Sequence, residues 1–265
     1  MAATLKVAIE LAGVGKRFAR AGDADGDYAV LEGFTLEVRE GEFFCLVGPT
    51  GCGKSTVLHL IAGFERPSAG RVRVFGDAVE APDADRGVVF QTDQALFPWL
   101  TVEENVAFGL TMRGVAPAER ASILERNIEL VGLPRHRAKF PRELSGGMKQ
   151  RVQIARALAN DPRILLMDEP FGALDAQTRR RMQEEVARIW SATGKTVIFI
   201  THDIGEAIWL ADRVGVMTRG PQARLKEIVE VDLPRPRHAM NQAYVELYNR
   251  LSDTIQAEAE AMLND

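Results

Sequence analysis

Gly48-Pro49-Thr50-Gly51-Cys52-Gly53-Lys54-Ser55-Thr56 fits the spacing G-x-x-x-x-G-K-[ST] and follows directly on the apolar run Phe43 to Val47. A strand feeding such a loop, with a helix after it, is the context in which this pattern cradles phosphates. The glycines let backbone N–H groups turn inward on a triphosphate, and the helix that follows aims its positive end at the same charge. Lys54 would supply a cation to the β- and γ-phosphates, and Ser55 is placed to hold Mg²⁺. A plain glycine-rich turn before a helix needs neither Lys54 nor Ser55, so nucleotide binding is the expectation from which the rest proceeds.

The chain has 265 residues, 46% hydrophobic and 26% charged, enough for one large core or a core with a smaller satellite. A formal net charge of -4 gives no general attraction to nucleic acid, and none is expected as a partner. The two cysteines, Cys45 and Cys52, fall in the apolar strand and the loop, without CxxC or metal-ligand spacing, which suits a reduced compartment. Beside Lys54 and a helix start, Cys52 is expected to favour its thiolate, so that a thiol reagent inactivates and MgATP protects. No apolar stretch approaches the ~18 residues of a spanning helix. Met1 to Glu10 lacks a long apolar segment followed by a small-residue cleavage site, so no secretion signal is expected.

Outward from the loop, alternation at Phe34, Leu36 and Val38 and at Val72, Val74 and Phe75 predicts an antiparallel sheet near the N-terminus. Phe43 to Val47, Ile164 to Met167 and Val197 to Ile200 are apolar throughout, as strands covered on both faces must be, and predict a parallel core sheet. Thr101 with Glu104 forms a capping box ahead of Val102, Val106 and Leu110, and Pro117 opens a helix carrying Ile123, Leu124, Ile128 and Val131, with Gly132 ending it. Met182, Val186, Ile189 and Trp190 share a helix face. Leu247, Leu251, Ile255 and Met262 sketch a C-terminal helix that packs on its own domain or on a partner. The acidic insert Gly22 to Tyr28 lacks calcium-loop spacing and reads as solvated. Arg179 to Arg181 reads as a wet helix face.

Four constellations carry chemistry besides the loop. Ile164 to Glu169 is a strand ending in two carboxylates, with Asp168 suited to the Mg²⁺ shell and Glu169 to orienting a water. A helix cap is the plainer alternative for that pair. Ser145-Gly146-Gly147 opens a helix bearing Met148, Val152, Ala155 and Leu158 and reads as a second anion site; simple capping explains Ser145 but not the paired glycines. His202 follows the strand Thr196 to Thr201 at the sheet's carboxyl edge, where it would touch the γ-phosphate and the water-orienting carboxylate. Gln91, after the strand Gly87 to Phe90, is placed to touch Mg²⁺ or water as a sensor.

Taken in order, Gly48 to Thr56, Gln91, Leu144 to Gln150, Ile164 to Glu169, Gly172-Ala173-Leu174-Asp175 and His202 resemble the ABC-type ATPase domain over nearly the whole chain. That resemblance implies an α/β P-loop NTPase fold: residues 1–91 and 161–232 as a RecA-like core with an antiparallel β subdomain, 92–160 as a helical subdomain with the signature motif, and 233–265 as a C-terminal helical extension. It implies catalytic roles for Lys54, Gln91, Glu169 and His202. ATP would contact Gly48, Pro49, Thr50, Gly51, Cys52, Gly53, Lys54, Ser55 and Thr56, with Ser145, Gly146, Gly147 and Asp175 approaching from a second subunit. Mg²⁺ would be held at Ser55, Gln91 and Asp168. Phe18, with Tyr28 as runner-up, would stack on adenine. The homodimer so implied sandwiches two ATP molecules and parts when the γ-phosphate is lost.

Within that family, Asp85 to Gln91, Leu96 to Leu100, Glu104 to Leu110, Met148 and the tail Glu230 to Arg237 resemble ATP-binding subunits of bacterial nitrate, sulfonate and taurine importers. The resemblance implies a peripheral subunit on the cytoplasmic face of the bacterial inner membrane. It would be docked, through a groove beside Gln91 walled by Phe97, Pro98, Trp99 and the following helix, on an integral-membrane permease that is served by an extracytoplasmic substrate-binding protein. The competing reading is a soluble ABC ATPase acting on ribosomes or DNA, against which stand the absence of a tandem second domain and of long heptad segments.

Overall fold

The computed structural model describes residues 6–19, 27–91, 95–172, 174–235, 237 and 242–261. Residues 22–26 of the acidic insert, and Met262, lie outside them. The chain divides into two compact units, Met1–Asp83 with Thr196–Asp265, and Ala84–Lys195.

In the first unit, β1 (Val7–Phe18) pairs antiparallel with β2 (Tyr28–Arg39) and with β4 (Ala69–Val74), and β5 (Asp77–Ala78) closes the edge, giving the order β2-β1-β4-β5. The alternation in β2 is the expected one: Phe34, Leu36 and Val38 are buried while Thr35 and Glu37 face out. β3 (Phe43–Val47) lies parallel between β8 (Thr196–Ile200) and β9 (Arg213–Met217), with β10 (Leu225–Glu230) antiparallel on β9. Every residue of β3 and β8 is buried, which is why neither strand shows alternation. α1 (Lys54–Ala62) leaves β3 through the glycine loop, and α6 (Ile204–Leu210) follows β8.

The end of α6 is closed by an arginine that the sequence did not single out. Arg237 is buried and donates to the carbonyls of Ile208 (2.6 Å), Ala211 (2.5 Å), Val231 (3.1 Å) and Leu233 (3.1 Å). A guanidinium fork suits this cluster of carbonyl groups at a helix C-terminus. Burial pulls its pKa down to about 10, still charged at neutral pH. The C-terminal helix α7 (Gln242–Ala261) packs on α6 and β9 of its own unit and carries the fully buried Leu251, in line with the first of the two placements expected for it. That one side chain contributes about 1.5–3 kcal/mol by leaving water.

In the second unit, β6 (Arg86–Val89) pairs parallel with β7 (Ile164–Asp168). Among the described residues three α-helices lie between them in sequence: α2 (Val102–Met112), α3 (Pro117–Leu130) and α4 (Gly146–Ala159). The Thr101–Glu104 capping box forms in both directions, and Pro117 stands in the first turn of α3 as expected. α5 (Ala176–Thr193) buries Met182, Val186 and Ile189.

Candidate functional site

In the first unit the glycine loop sits between β3 and α1, and the sequence explains its shape. Gly53 caps α1 at φ 96°, a left-handed conformation that a side chain resists. A Cβ there would lie 2.7 Å from Val30 Cγ1 of β2, so only glycine lets the loop approach that strand. Lys54 is buried, and its ammonium folds back to donate to the carbonyls of Gly48 (2.9 Å) and Pro49 (3.0 Å). An ammonium has three protons to give. Two of them brace the loop among the described residues, leaving one directed bond for an anion.

His202 emerges beside this loop. The parallel register pairs Leu46 with Ile200, and Thr201 N–H donates to the Leu46 carbonyl (3.3 Å), so Gly48 and His202 each follow two residues beyond the same rung. The strand ends at Ile200, one residue short of the expected Thr201. That threonine turns to donate to the buried Glu206 carboxylate (2.7 Å) and to accept from Asp203 N–H (3.0 Å). Phe18 is the last residue of β1 and pairs directly with Tyr28, so both aromatic candidates stand on one cross-strand pair, half-open to solvent. Lys16, ion-paired to Glu65 (2.7 Å), lies 4.6 Å from the centre of the Phe18 ring.

The expectation for Cys52 is corrected. The residue is 1% exposed, its sulfur packs into the loop against Gly48, and burial raises its thiol pKa, outweighing the opposing charge of Lys54. The positive field read from the sequence is present, but desolvation of the thiolate is the larger effect. Native protein is therefore expected to react with a maleimide far more slowly at Cys52 than unfolded protein does, with or without nucleotide. Mass-spectrometric labelling kinetics check this, and rapid native labelling contradicts it.

In the second unit the register of β6 on β7 pairs Val89 with Met167, so Gln91 and Glu169 stand two steps beyond the same rung. They meet: Gln91 Nε2 donates to Glu169 Oε2 at 3.2 Å. Glu169 has φ 41°, a left-handed conformation that costs a non-glycine residue about 1–3 kcal/mol and is concentrated at working sites. Asp168, at the end of β7, is half-buried with it. Two helix starts frame the candidate second anion site. Ser145 caps α4, accepting a long bond from Met148 N–H (3.4 Å), and Asp175 caps α5, accepting from Gln177 N–H (3.1 Å) and Thr178 N–H (3.0 Å). The hydrogen bonds from Thr178, and then from Gln177, hold the Asp175 carboxyl below its usual range.

The paired glycines have a packing reason that sequence reading lacked. A Cβ on Gly147 would fall 2.8 Å from Thr178 Cγ2, and one on Gly146 3.2 Å from Leu174 Cδ2. These glycines let the start of α4 press on the start of α5, bringing Ser145 and Asp175 to one region while Ser145 and Gly146 stay exposed. Of the Mg²⁺ set, Ser55 lies in the first unit and Gln91 and Asp168 in the second. All three offer hard oxygen donors of the kind Mg²⁺ takes. Among the described residues no cluster of three His, Cys, Asp or Glu forms a ready cage.

The same unit presents an apolar surface. Trp99 is 70% exposed and Met112 68%, while the Phe97 ring lies 5.6 Å from Trp99 and 4.4 Å from Phe108. The loop that carries it is fixed by buried Asn105, which accepts from Phe97 N–H (2.9 Å) and donates to the carbonyls of Phe97 (3.1 Å), Leu100 (2.9 Å) and Thr101 (3.0 Å). A polar residue on the buried face of α2 was the available signal for this role. Phe108 also borders a cleft of about 610 Å³ with Leu100, Ala107, Leu124 and Arg137; Phe97, Pro98 and Trp99 stand outside it. Among the described residues no helix is long and apolar enough to cross a membrane.

Residues 31–172 match the family model described as ABC transporter. An uncharacterized ABC transporter ATP-binding protein of Methanocaldococcus jannaschii is 49% identical over 86% of this chain and 85% of its own length. From Synechococcus elongatus, a bicarbonate transport ATP-binding protein is 48% identical and a nitrate import ATP-binding protein 46%, over 86% and 89% of this chain. The chain spans only about a third of those two proteins, 35% and 37% of their lengths. Among solved structures, a dimeric ATP-binding cassette in a post-hydrolysis state with ADP and phosphate aligns with TM-score 0.71 and 29% identity, over 85% of this chain and 100% of the other.

Proposed function

The chain belongs to the ABC transporter family of ATP-binding proteins and is a transporter ATPase, and from that premise we propose that it powers import of a small oxyanion through a separate permease. The observation that carries the anion class is its 46% and 48% identity to ATP-binding proteins of nitrate import and bicarbonate transport. In this reading ATP lies on Gly48 to Thr56, with Lys54 on its β- and γ-phosphates and Phe18 or Tyr28 on its base. Ser145, Gly146, Gly147 and Asp175 of a second copy close over it. Glu169 orients the attacking water, helped by Gln91 and His202. Mg²⁺, held by the nucleotide's phosphates with Ser55, Gln91 and Asp168, would neutralise charge on the transferred phosphoryl group. The subunit sits peripherally on the cytoplasmic face of the inner membrane, and an extracytoplasmic binding protein delivers the anion to the permease.

The aromatic surface around Trp99 is the proposed permease contact, since a large exposed apolar patch on a rigid loop is costly unless something covers it. Trp99→Ala is expected to leave the isolated subunit's fold and basal ATPase intact while reducing capture of the permease at least tenfold, as loss of an interface aromatic does. Co-purification from membranes checks this, and undiminished capture removes Trp99 from the contact. The transported class is tested in proteoliposomes: ATPase stimulation by a binding protein loaded with nitrate, bicarbonate or a sulfonate supports the reading. Stimulation by none of them overturns it.

A further inference from the structure

We propose that Glu258, far along α7, is a positioning residue for the phosphate loop, acting through the connection between β9 and β10. The inference rests on the reading that Gly48 to Thr56 holds ATP, and it uses contacts inside one compact unit. Glu258 Oε2 accepts from the backbone N–H of Arg219 at 3.0 Å, and Oε1 accepts from Lys226 Nζ at 2.7 Å. The carboxylate therefore clamps the connection at its start and at the strand that leaves it. Burial works to raise its pKa, but the hydrogen bonds from Lys226 and Arg219 outweigh it and hold the group ionised at neutral pH.

What Glu258 clamps touches the phosphate loop directly. A Cβ on Gly220, the residue after Arg219, would lie 3.2 Å from the Gly51 carbonyl oxygen and 3.7 Å from Cys52 Cα. A Cβ on Gly48 would lie 3.0 Å from Met217 Cβ and 3.2 Å from the Met217 carbonyl. The end of β9 and the connection after it thus lie against the loop at Gly48 and at Gly51 and Cys52. The connection's far side is stapled to β2 by Gln222 N–H to Ala29 O (2.9 Å) and Ala223 N–H to Val30 O (2.9 Å), and Val30 is the side chain against Gly53. The loop is gripped between β2 and this connection, and α7 holds the connection in place. A shift of a few tenths of an ångström at Arg219 reaches backbone N–H groups whose aim at an anion decides affinity.

α7 carries an internal control. Glu227 accepts from Arg250 Nη2 (2.6 Å) and Thr254 Oγ1 (3.2 Å), tying the same helix to β10 without touching Arg219. The experiment measures ATP Kd by fluorescence, KM and kcat by turnover, and Tm without nucleotide, for Glu258→Ala, Glu258→Gln, Glu227→Gln and Gly220→Ala. Glu258→Ala is expected to raise Kd and KM about tenfold, the scale of one lost charge-assisted hydrogen bond, with kcat within about twofold. Glu258→Gln, whose amide oxygen still accepts from Arg219, recovers most of that loss. Gly220→Ala, which presses on Gly51 without altering α7, moves Kd in the same direction. Glu227→Gln leaves Kd and KM unchanged whatever it does to Tm.

Equal shifts from Glu227→Gln and Glu258→Ala would mean that docking of α7 is all that matters, and would overturn the proposal. So would a fall in Tm with Kd unmoved. Should Glu258→Ala not fold, Gly220→Ala decides alone, and a flat Kd there overturns it. A Lys54→Ala control run in parallel separates the two levels: ATP binding that ignores Lys54 overturns both readings, whereas Lys54 dependence with a flat Glu258 series overturns this one only.

Discussion

Replacing Glu169 by Gln is expected to slow ATP hydrolysis on the order of 10²- to 10⁴-fold while leaving ATP affinity within a factor of about two. The neutral isostere keeps the side chain's shape and keeps an oxygen for the hydrogen bond from Gln91 Nε2. It removes the charge that polarises a water in the proposed role. That loss corresponds to about 3–5 kcal/mol at the transition state and almost nothing in the ground state, the pattern of an interaction made only as the bond breaks. Because hydrolysis is what lets the two copies part in this reading, the variant is also expected to accumulate as a nucleotide-bound dimer with MgATP. Turnover rates together with size-exclusion chromatography test both halves. Retained turnover assigns water activation elsewhere, and slow turnover without a dimer separates hydrolysis from association. Gln91→Ala should do less than Glu169→Gln, because it removes a partner of the carboxylate and leaves its charge.

The residues that sequence reading placed correctly are those whose position follows from a period or a chain break. β3 and β8 are continuous apolar runs and are wholly buried, and the Thr101–Glu104 box closes as written. Gln91 and Glu169 were each placed at a strand end, and the parallel register alone then brings them to one rung. What could not be read are quantities set by packing between segments distant in the chain. Cys52 has the cationic neighbour that would activate it, but no local pattern tells how completely its sulfur is enclosed, and burial reverses the sign. The second glycine of Ser145-Gly146-Gly147 is required by Thr178 on another helix, a contact invisible until α4 and α5 are folded together. Arg237 and Glu258 look like ordinary charges of a polar tail; each works on backbone groups more than twenty residues away.

Replacing Lys54 by Ala is expected to abolish measurable turnover and to weaken ATP binding by about 100-fold or more, since a buried charge that meets a phosphate contributes on the order of 3 kcal/mol. The effect has two sources that the structure separates. One is the lost cation. The other is the loop itself, because the ammonium already holds the carbonyls of Gly48 and Pro49. Truncation removes the shared donor, leaves the carbonyls of Gly48 and Pro49 without it, and relaxes the frame on which the backbone N–H groups are aimed. Lys54→Arg divides the two contributions: it keeps the positive charge, but its planar fork is larger and does not fit a pocket cut for a single ammonium between two carbonyls. If charge alone mattered, the arginine variant would retain most of the affinity; if the loop brace matters as well, it should bind ATP nearly as poorly as alanine. Titration with ATP and with inorganic tripolyphosphate reads the outcome, because both ligands present the same phosphates and only one presents a base. Losses that are equal for the two ligands place the effect at the phosphates. Unchanged ATP affinity in Lys54→Ala would reduce Lys54 to a brace for its own loop and move the triphosphate away from Gly48 to Thr56.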